Sequence, residues 1–317
     1  MSSVIESLLD IVEQDPYPAG HTSRYWQLEG EQLGVARRGQ DVLLKGFGRG
    51  TGGRRDIAWQ AAHVLERWSY RRVTASLRAY PRLWTLTRQL AQELELGITF
   101  DVWKCAVILA VLADHWEEHR LSPRIFVMIG DGNGFLGALI RRAMPGVRMY
   151  CIDLPKGLVF QASTHQTADA RAVLTRPGPL HQAQADIVFV LPQEIGQVTE
   201  MIDCAVNIAS MQEMDRRSIE GYFAWLRRRS HEHSRFYCVN RREKALPGGE
   251  VARLAGYPWQ PEDRVFLDGP CPYYTHYLSR AMRPRGPAFL GIRVPFINYF
   301  DGPMDHRLVR LAPGQAV

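Results

Sequence analysis

The sequence predicts an α/β fold, a parallel sheet with helices on both faces, preceded by a mostly helical N-terminal segment. In the second part of the chain, short apolar runs alternate with amphipathic or polar stretches, which is the rhythm of strands joined by crossover helices. Before about residue 121, apolar residues instead recur at helical spacing. We therefore predict a helical segment over residues 1–120 and the main domain over 121–317.

The composition is that of a globular protein. The chain has 317 residues, of which 46% are hydrophobic and 23% are charged, so it can bury a large core. Its net charge of +6 permits an anionic substrate but does not require nucleic acid. The five cysteines are widely spaced and include no C-x-x-C pair, which indicates no disulfide framework and favours a cytoplasmic protein. We expect no membrane partner, because the longest apolar stretch is too short to span a bilayer.

Three stretches of the N-terminal segment predict helices, at residues 57–70, 81–94 and 100–118. The last is apolar nearly all round and should be buried. A Gly- and Arg-rich run at 45–55 lacks the Gly-Lys-Ser/Thr ending of a phosphate-binding loop, so we interpret it as a flexible loop. The segment is interpreted either as a lid over an acceptor or as a surface for homodimer formation.

The strands of the main domain are predicted from apolar runs. These runs are residues 125–129, 149–152, 187–191, 202–208 and 236–239, followed by 265–267 and 289–294. A helix is expected after Ile208, with Asp215 as its N-cap and the arginines at 227–229 at its C-terminal end.

A glycine-rich loop joins the first of these strands to a helix. Its sequence is Gly130-Asp131-Gly132-Asn133-Gly134. Glycines permit a tight turn and a close approach of the backbone to a ligand, and the helix N-terminus offers free N–H groups to an anion.

An acidic residue completes this motif. About twenty residues after the loop, Asp153 ends the second strand, where a carboxylate can accept both hydroxyls of a ribose. The spacing is G-x-G-x-G, and Phe135 stands where a dinucleotide fingerprint has glycine. The motif therefore favours S-adenosylmethionine over a nicotinamide cofactor.

The glycine loop is similar to motif I of the Rossmann-type S-adenosylmethionine-dependent methyltransferases. Residues 151–155, 207–214 and 236–244 resemble the sugar O-methyltransferases of bacterial surface-polysaccharide clusters, and the resemblance runs from about 125 to 246. It implies a Rossmann-like methyltransferase sheet. In one departure, Met128 stands two positions before the first glycine, where many such enzymes carry an acidic residue. A contact to the cofactor's amino group is then absent or supplied by Asp131.

Ligands of an open parallel sheet bind beyond the carboxyl ends of the strands, which predicts a set of site residues. The expected cofactor-binding residues are Gly130, Asp131, Gly132, Asn133, Gly134, Asp153, Leu154, Gln193 and Asn207, with Gln193 beside the adenine. Candidate proton acceptors are Glu213, for which a structural role is equally open, and His276. Candidate acceptor-binding residues are Asn240, Arg241 and Lys244, with Tyr273 and Tyr274 as a stacking wall. Solvated charges and core packing are the alternatives for these, and no metal site is expected.

The function expected from the sequence is methyl transfer to a hydroxyl of a sugar or a glycosylated acceptor, with a small molecule or glycan as partner. N- or C-methylation of a natural-product intermediate is an alternative, and so is a methyltransferase-like domain that binds without catalysis. The Asn-Pro-Pro-Tyr type of tetrapeptide found in amino-directed DNA methyltransferases is absent after the fourth strand, where residues 207–210 read Asn-Ile-Ala-Ser.

Overall fold

The computed structural model describes residues 3–18, 20, 22–39, 41–47, 70–178, 185–247, 249–275, 288–289, 292–293 and 302–314. Its α-helices are α1 (Ser3–Gln14), α2 (Arg24–Glu29), α3 (Tyr80–Glu93), α4 (Phe100–Glu118), α5 (Phe135–Ala143), α6 (Pro155–Ala168), α7 (Arg216–Arg229) and α8 (Pro272–Thr275). Short 3-10 helices occur at Gly30–Gln32, Pro192–Gln197, Met211–Glu213 and Leu254–Gly256.

The strands form one large sheet and three small hairpins. They are β1 (Gly34–Arg38), β2 (Asp41–Lys45), β3 (Ile125–Ile129), β4 (Arg148–Ile152), β5 (Leu174–Thr175), β6 (Ile187–Val190), β7 (Ile202–Ile208), β8 (Ser230–Arg241), β9 (Glu243–Ala245), β10 (Val251–Arg253), β11 (Arg264–Pro270), β12 (Ala288–Phe289), β13 (Ile292–Arg293) and β14 (Met304–Arg310). The hairpins pair β1 with β2, β9 with β10, and β12 with β13.

The large sheet has eight strands in the order β11-β14-β8-β7-β3-β4-β6-β5. Strand β14 is antiparallel to both of its neighbours, and the other neighbouring strands are parallel. The chain moves outward from β3 through β4 and then returns to the other side of β3 through β7. This reversal creates a crevice beside the carboxyl end of β3, as in Rossmann-like sheets. The predicted α/β fold is confirmed.

The two faces of the sheet are buried by different elements. On β3, Phe126 and Met128 belong to one apolar cluster, while Val127 and Ile129 belong to the other. The first cluster also contains side chains of α1, α3 and α4, and α1 contacts α6 while α3 and α4 contact α5. The second cluster contains the apolar stripe of α7. The N-terminal helices therefore share a core with the sheet.

Most of the predicted elements agree with the structure in the described ranges. Helix α4 spans 100–118 as expected and is buried, and no helix in the described ranges is both long and apolar enough to cross a membrane. The predicted helix at 57–70 lies outside the described residues apart from Tyr70. Of the predicted strand at 289–294, the described residues belong to the separate β12–β13 hairpin. The hairpin β1–β2 and the strand β14 were not predicted.

Helix α7 is anchored at both ends by polar contacts. The Asp215 carboxylate accepts a hydrogen bond from the backbone N of Ser218 at 2.8 Å, which confirms the predicted N-cap. Near the other end, the Arg227 guanidinium donates to both carboxylate oxygens of Asp263, at 2.6 and 2.8 Å. These side chains are only 5% and 2% exposed. Arg227 also donates to the carbonyls of Pro258 and Ala312, so it ties α7 to the C-terminal part of the chain.

We expect Asp263→Ala to lower the free energy of unfolding by about 3–5 kcal/mol, because it leaves the Arg227 charge buried without its carboxylate. The matched control is Glu243→Ala, which breaks the ion pair with Arg253. The side chains of Arg253 and Glu243 are 60% and 61% exposed. That change should cost less than about 1 kcal/mol. Urea unfolding of both variants measures the difference, and equal losses would contradict the prediction.

Candidate functional site

A cavity of about 880 Å³ opens at the carboxyl ends of β3, β4 and β7. Its walls include residues 130–133, Asp153, Leu154, Gln193 and residues 208–210. The volume is within the range of small-molecule and cofactor sites. The structure therefore brings together most of the predicted cofactor residues at the crevice where the strand order reverses.

The glycine loop is shaped by left-handed backbone at Gly130 (φ 71°) and Gly134 (φ 80°). A Cβ atom on Gly130 would lie 2.0 Å from Oγ of Ser210, and one on Gly134 would lie 2.8 Å from Cα of Gln161. Both positions thus require glycine for conformation and for close packing. Gly134 is the N-cap of α5 and lies behind the cavity wall, so its role is to position the loop.

Asn133 links the loop to the N-terminal segment. Its Oδ1 accepts a hydrogen bond from the backbone N of Phe135 at 3.1 Å, and its Nδ2 donates to the Phe47 carbonyl at 3.3 Å. Phe47 also lines the cavity. The loop and the segment after β2 are therefore held as neighbours in one wall.

Asp153 is oriented by two hydrogen bonds at the end of β4. Its Oδ1 accepts from the backbone N of Leu154 at 2.8 Å, and its Oδ2 accepts from Nε2 of Gln161 at 2.6 Å. The absence of a side chain at Gly157 makes room, since a Cβ there would lie 2.6 Å from Cγ of Asp153. Burial raises the pKa of Asp153 to about 7. Each carboxylate oxygen has a second acceptor site, so the group can still accept from a ligand.

Asp131 is turned towards helix α5. Its Oδ2 accepts a hydrogen bond from the backbone N of Gly137 at 2.8 Å. Burial raises its pKa to about 7, against the Gly137 hydrogen bond and with the help of the Asp153 charge. One of its oxygens is therefore committed to the start of α5, although the residue lines the cavity.

Glu213 lines the cavity from the short helix after β7 and is paired with a buried lysine. Its Oε1 accepts from Nζ of Lys244 at 2.6 Å. The same Nζ lies 3.9 Å from the ring centroid of Tyr25 in the N-terminal segment. Burial raises the pKa of Glu213, and the Lys244 charge opposes this. Lys244, expected to bind the acceptor, lies outside the cavity wall and instead holds Glu213.

Asn207 and Asn240 are fully buried behind the cavity wall. Nδ2 of Asn207 donates to the Ile129 carbonyl at 2.9 Å, and its Oδ1 accepts from Nδ2 of Asn240 at 2.8 Å and from the backbone N of Met211 at 3.2 Å. Between these bonds, Ala209 is held in left-handed backbone with φ 59°, which is unfavourable for a residue with a Cβ. Asn207 was expected to contact the cofactor and Asn240 the acceptor. Their network instead positions the segment after β7.

The other expected acceptor residues do not line the cavity. Tyr273 and Tyr274 are 0% and 3% exposed, and the hydroxyl of Tyr273 lies 3.1 Å from that of Tyr237. These rings pack in the core, so they do not form the expected stacking wall. Arg241 lies outside the cavity wall as well, and its backbone N donates to Oε1 of Gln212 at 2.7 Å. His276 lies outside the described residues.

The N-terminal segment supplies cavity residues that were not predicted. The aromatic ones are Tyr17, Tyr25, Trp26 and Phe47. They belong to irregular or short elements, so no periodicity in the sequence indicated them. The charged ones are Asp101 and Lys104. A pair of charges in the first two turns of a helix that is otherwise apolar up to Ala113 was a usable signal. Within the described residues, no cluster of three or more His, Cys, Asp or Glu side chains could hold a metal ion.

No family model and no curated protein matches this chain. Solved structures similar to it include the mitomycin 7-O-methyltransferase MmcR, with 15% identity over 81% of this chain and 69% of that chain and a TM-score of 0.37. An S-adenosylmethionine-dependent methyltransferase from Clostridium acetobutylicum is 10% identical over 63% and 89% of the two chains, with a TM-score of 0.38. Coclaurine N-methyltransferase, bound to N-methylheliamine and SAH, is 12% identical over 78% and 94%, with a TM-score of 0.39. At these values the similarities carry no conclusion about the function of this chain.

Burial of Asp131 makes the stability of the protein depend on pH. Its pKa is about 7 in the folded state against an ordinary 3.8, so the folded state binds the extra proton and its stability falls as pH rises from about 4 to about 7. Asp131→Asn removes this penalty and keeps an oxygen for the Gly137 N–H. We expect the difference in free energy of unfolding between this variant and the wild type to increase by about 2–4 kcal/mol from pH 4.5 to pH 8, at about 1.4 kcal/mol per pKa unit.

Urea unfolding at several pH values measures this gain. Asp101→Asn is the control, because Lys104 lowers the pKa of Asp101 and its titration lies below this window. Its stability difference from the wild type should stay constant from pH 4.5 to pH 8. A constant difference for Asp131→Asn as well would contradict the prediction.

Proposed function

We propose that this protein is an S-adenosylmethionine-dependent methyltransferase that methylates a hydroxyl of a small-molecule acceptor, with a sugar or glycosylated compound as the acceptor class. The observation that carries the proposal is the meeting of the left-handed glycine loop and Asp153 in one cavity at the reversal of strand order. That is where Rossmann-like sheets bind nucleotide cofactors.

The residues present fit this cofactor. Asp153 is oriented to accept from ribose hydroxyls, and Gln193 lines the cavity beyond β6, where the adenine is expected. The N-terminus of α5 provides N–H groups for a carboxylate. Phe135, at the first position of α5, lines the cavity where a dinucleotide site keeps glycine for a pyrophosphate. This bulk favours S-adenosylmethionine over NAD.

The chemistry needs alignment and a proton acceptor from the chain. The bound cofactor supplies a methyl group already activated on a sulfonium. Glu213 is the cavity carboxylate that we assign as general base, and Lys244 fixes its orientation through Oε1. A positioned base contributes roughly 10²–10⁴-fold to a rate. His276 remains the second candidate.

The acceptor is proposed to lie against the N-terminal wall, formed by Tyr17, Tyr25, Trp26 and Phe47. Aromatic faces with polar tips suit the apolar face of a sugar ring, which supports the assignment that the resemblance of residues 207–214 and 236–244 suggests. Arg217 at the start of α7 is exposed and lines the same cavity, so it is placed to meet an anionic acceptor. The N-terminal segment would then serve as the acceptor wall.

Asp153→Ala is expected to weaken binding of S-adenosylhomocysteine at least about tenfold, because it removes the carboxylate proposed to hold the ribose hydroxyls. Calorimetric titration measures the affinity, with NAD as the competing ligand. The control is Asp268→Ala, an exposed carboxylate paired with Arg307 at the far edge of the sheet, which should bind like the wild type. Tight binding of NAD, or no binding of S-adenosylhomocysteine to the wild type, would overturn the proposed cofactor.

Glu213→Gln is expected to lower kcat by roughly 10²–10⁴-fold because it removes the proton acceptor. The affinity for S-adenosylhomocysteine should change little. The assay follows formation of S-adenosylhomocysteine with monosaccharides, nucleotide sugars and glycosylated phenols, beside amine acceptors. Glu243→Gln is the exposed control. An unchanged kcat would leave Glu213 with a structural role, and activity on amines alone would overturn the hydroxyl acceptor.

A further inference from the structure

An ion pair projects into the cavity from the first turns of α4. Nζ of Lys104 donates to Oδ1 of Asp101 at 2.8 Å. The Asp101 side chain is 76% exposed although it lines the cavity, whereas the Lys104 side chain is 17% exposed. The other Asp101 oxygen, Oδ2, makes no hydrogen bond within the described ranges, so the pair offers an accessible carboxylate beside a largely buried ammonium.

The position of this pair is unusual for its helix. Around it, Phe100, Val102, Trp103 and Cys105 are buried, and α4 packs against α5. Lys104 also lies against the rings of Phe100 and Tyr274, at 5.7 and 5.6 Å from their centroids. Placing a charge among such neighbours carries a desolvation cost, so this ion pair contributes little net stability as a purely structural contact.

Both members of the pair are charged near neutral pH. Burial opposes the charge of Lys104, but Asp101 raises its pKa well above the ordinary value. In return, Lys104 lowers the pKa of Asp101. Lys104 and Asp131 of the glycine loop line the same cavity. Burial raises the pKa of Asp131, and the Lys104 charge lowers it. The cavity therefore presents one positive and one negative charge from α4, the helix that packs against α5.

A matching ligand carries an ammonium and a carboxylate on one carbon, as an α-amino acid does. The methionine part of the proposed cofactor is such a group. Met128 stands where a carboxylate is expected, and Asp131 commits one oxygen to Gly137. Asp101 is the more accessible carboxylate of the two.

We propose that Asp101 and Lys104 bind the amino-acid part of S-adenosylmethionine, with Asp101 accepting from its ammonium and Lys104 donating to its carboxylate. This inference rests on the proposed function and deepens it. It assigns α4 a second task, because the N-terminal segment then completes the cofactor site and does not only line the acceptor wall. The carboxylate missing at Met128 is replaced by one from a different part of the chain.

The test compares three ligands by calorimetric titration of the full chain. S-adenosylhomocysteine has the whole amino acid, decarboxylated S-adenosylmethionine keeps only the amine, and 5′-methylthioadenosine lacks both. We expect Lys104→Met to weaken S-adenosylhomocysteine at least about tenfold, or about 1.4 kcal/mol, and to leave the other two within about twofold. Asp101→Asn should weaken both amine-bearing ligands and spare 5′-methylthioadenosine.

Lys156→Met is the matched control, because Lys156 also lines the cavity but bonds the Tyr17 hydroxyl and the Gly30 carbonyl. Its effect should not differ among the three ligands. Equal losses for all three ligands in Lys104→Met and Asp101→Asn would overturn the inference and leave the proposed function intact. Asp101→Asn changes an exposed side chain, so it remains informative if Lys104→Met is unstable. Failure of the wild type to bind S-adenosylhomocysteine would overturn the proposed function and this inference together.

Discussion

The crowding of three chain segments at the carboxyl end of β3 is the constraint on which the site depends. Gly130 lies so close to Ser210 that no side chain fits between them, and a Cβ atom on Gly134 would lie 2.8 Å from the backbone Cα of Gln161 in α6. The buried pair Asn207 and Asn240 holds the segment after β7 against this point. Because glycine permits these close contacts, the loop after β3 and the ends of β4 and β7 line one cavity. The carboxylates of Asp131, Asp153 and Glu213 line this cavity, and each is oriented by hydrogen bonds.

Three carboxylates that line the cavity share the same kind of environment. Asp131, Asp153 and Glu213 have raised pKa values because burial disfavours their ionised forms. Asp131 accepts a hydrogen bond from Gly137, and Asp153 accepts from Leu154 and Gln161. Glu213 accepts from Lys244. These bonds orient the carboxylates without satisfying every acceptor site, since each oxygen can accept twice. A ligand rich in hydroxyl and ammonium donors would complete them, which is the chemistry that the proposed cofactor offers.

The sequence predicted the features that depend on local pattern. Runs rich in apolar residues predicted β3 and β7 with their observed bounds. The glycine loop with Asp153 located the cavity, because a parallel sheet brings strand ends to one edge. Strand β14 was not predicted, because its alternation of polar and apolar residues is broken and its pairing partners are distant in sequence. The burial of Tyr273 and Tyr274, and the pairing of Lys244 with Glu213, depend on tertiary packing that no local pattern specifies.

Two described parts of the N-terminal segment are held by different forces. Helices α1, α3 and α4 share the apolar core of the sheet, so the part of the cavity wall that carries Asp101 and Lys104 belongs to a packed element. The region around α2 is held by polar contacts instead, from Ser23 to the Glu213 carbonyl and from Lys156 to Tyr17, and by Lys244 over the Tyr25 ring. Leu28 in this helix is 57% exposed, as expected for an element with little apolar anchoring. Polar contacts of this kind open at lower cost than a packed core. The lid interpretation of the N-terminal segment therefore applies to the region around α2, where contacts from Ser23, Tyr17 and Tyr25 end on Glu213, on the cavity residue Lys156 and on Lys244, which pairs with Glu213.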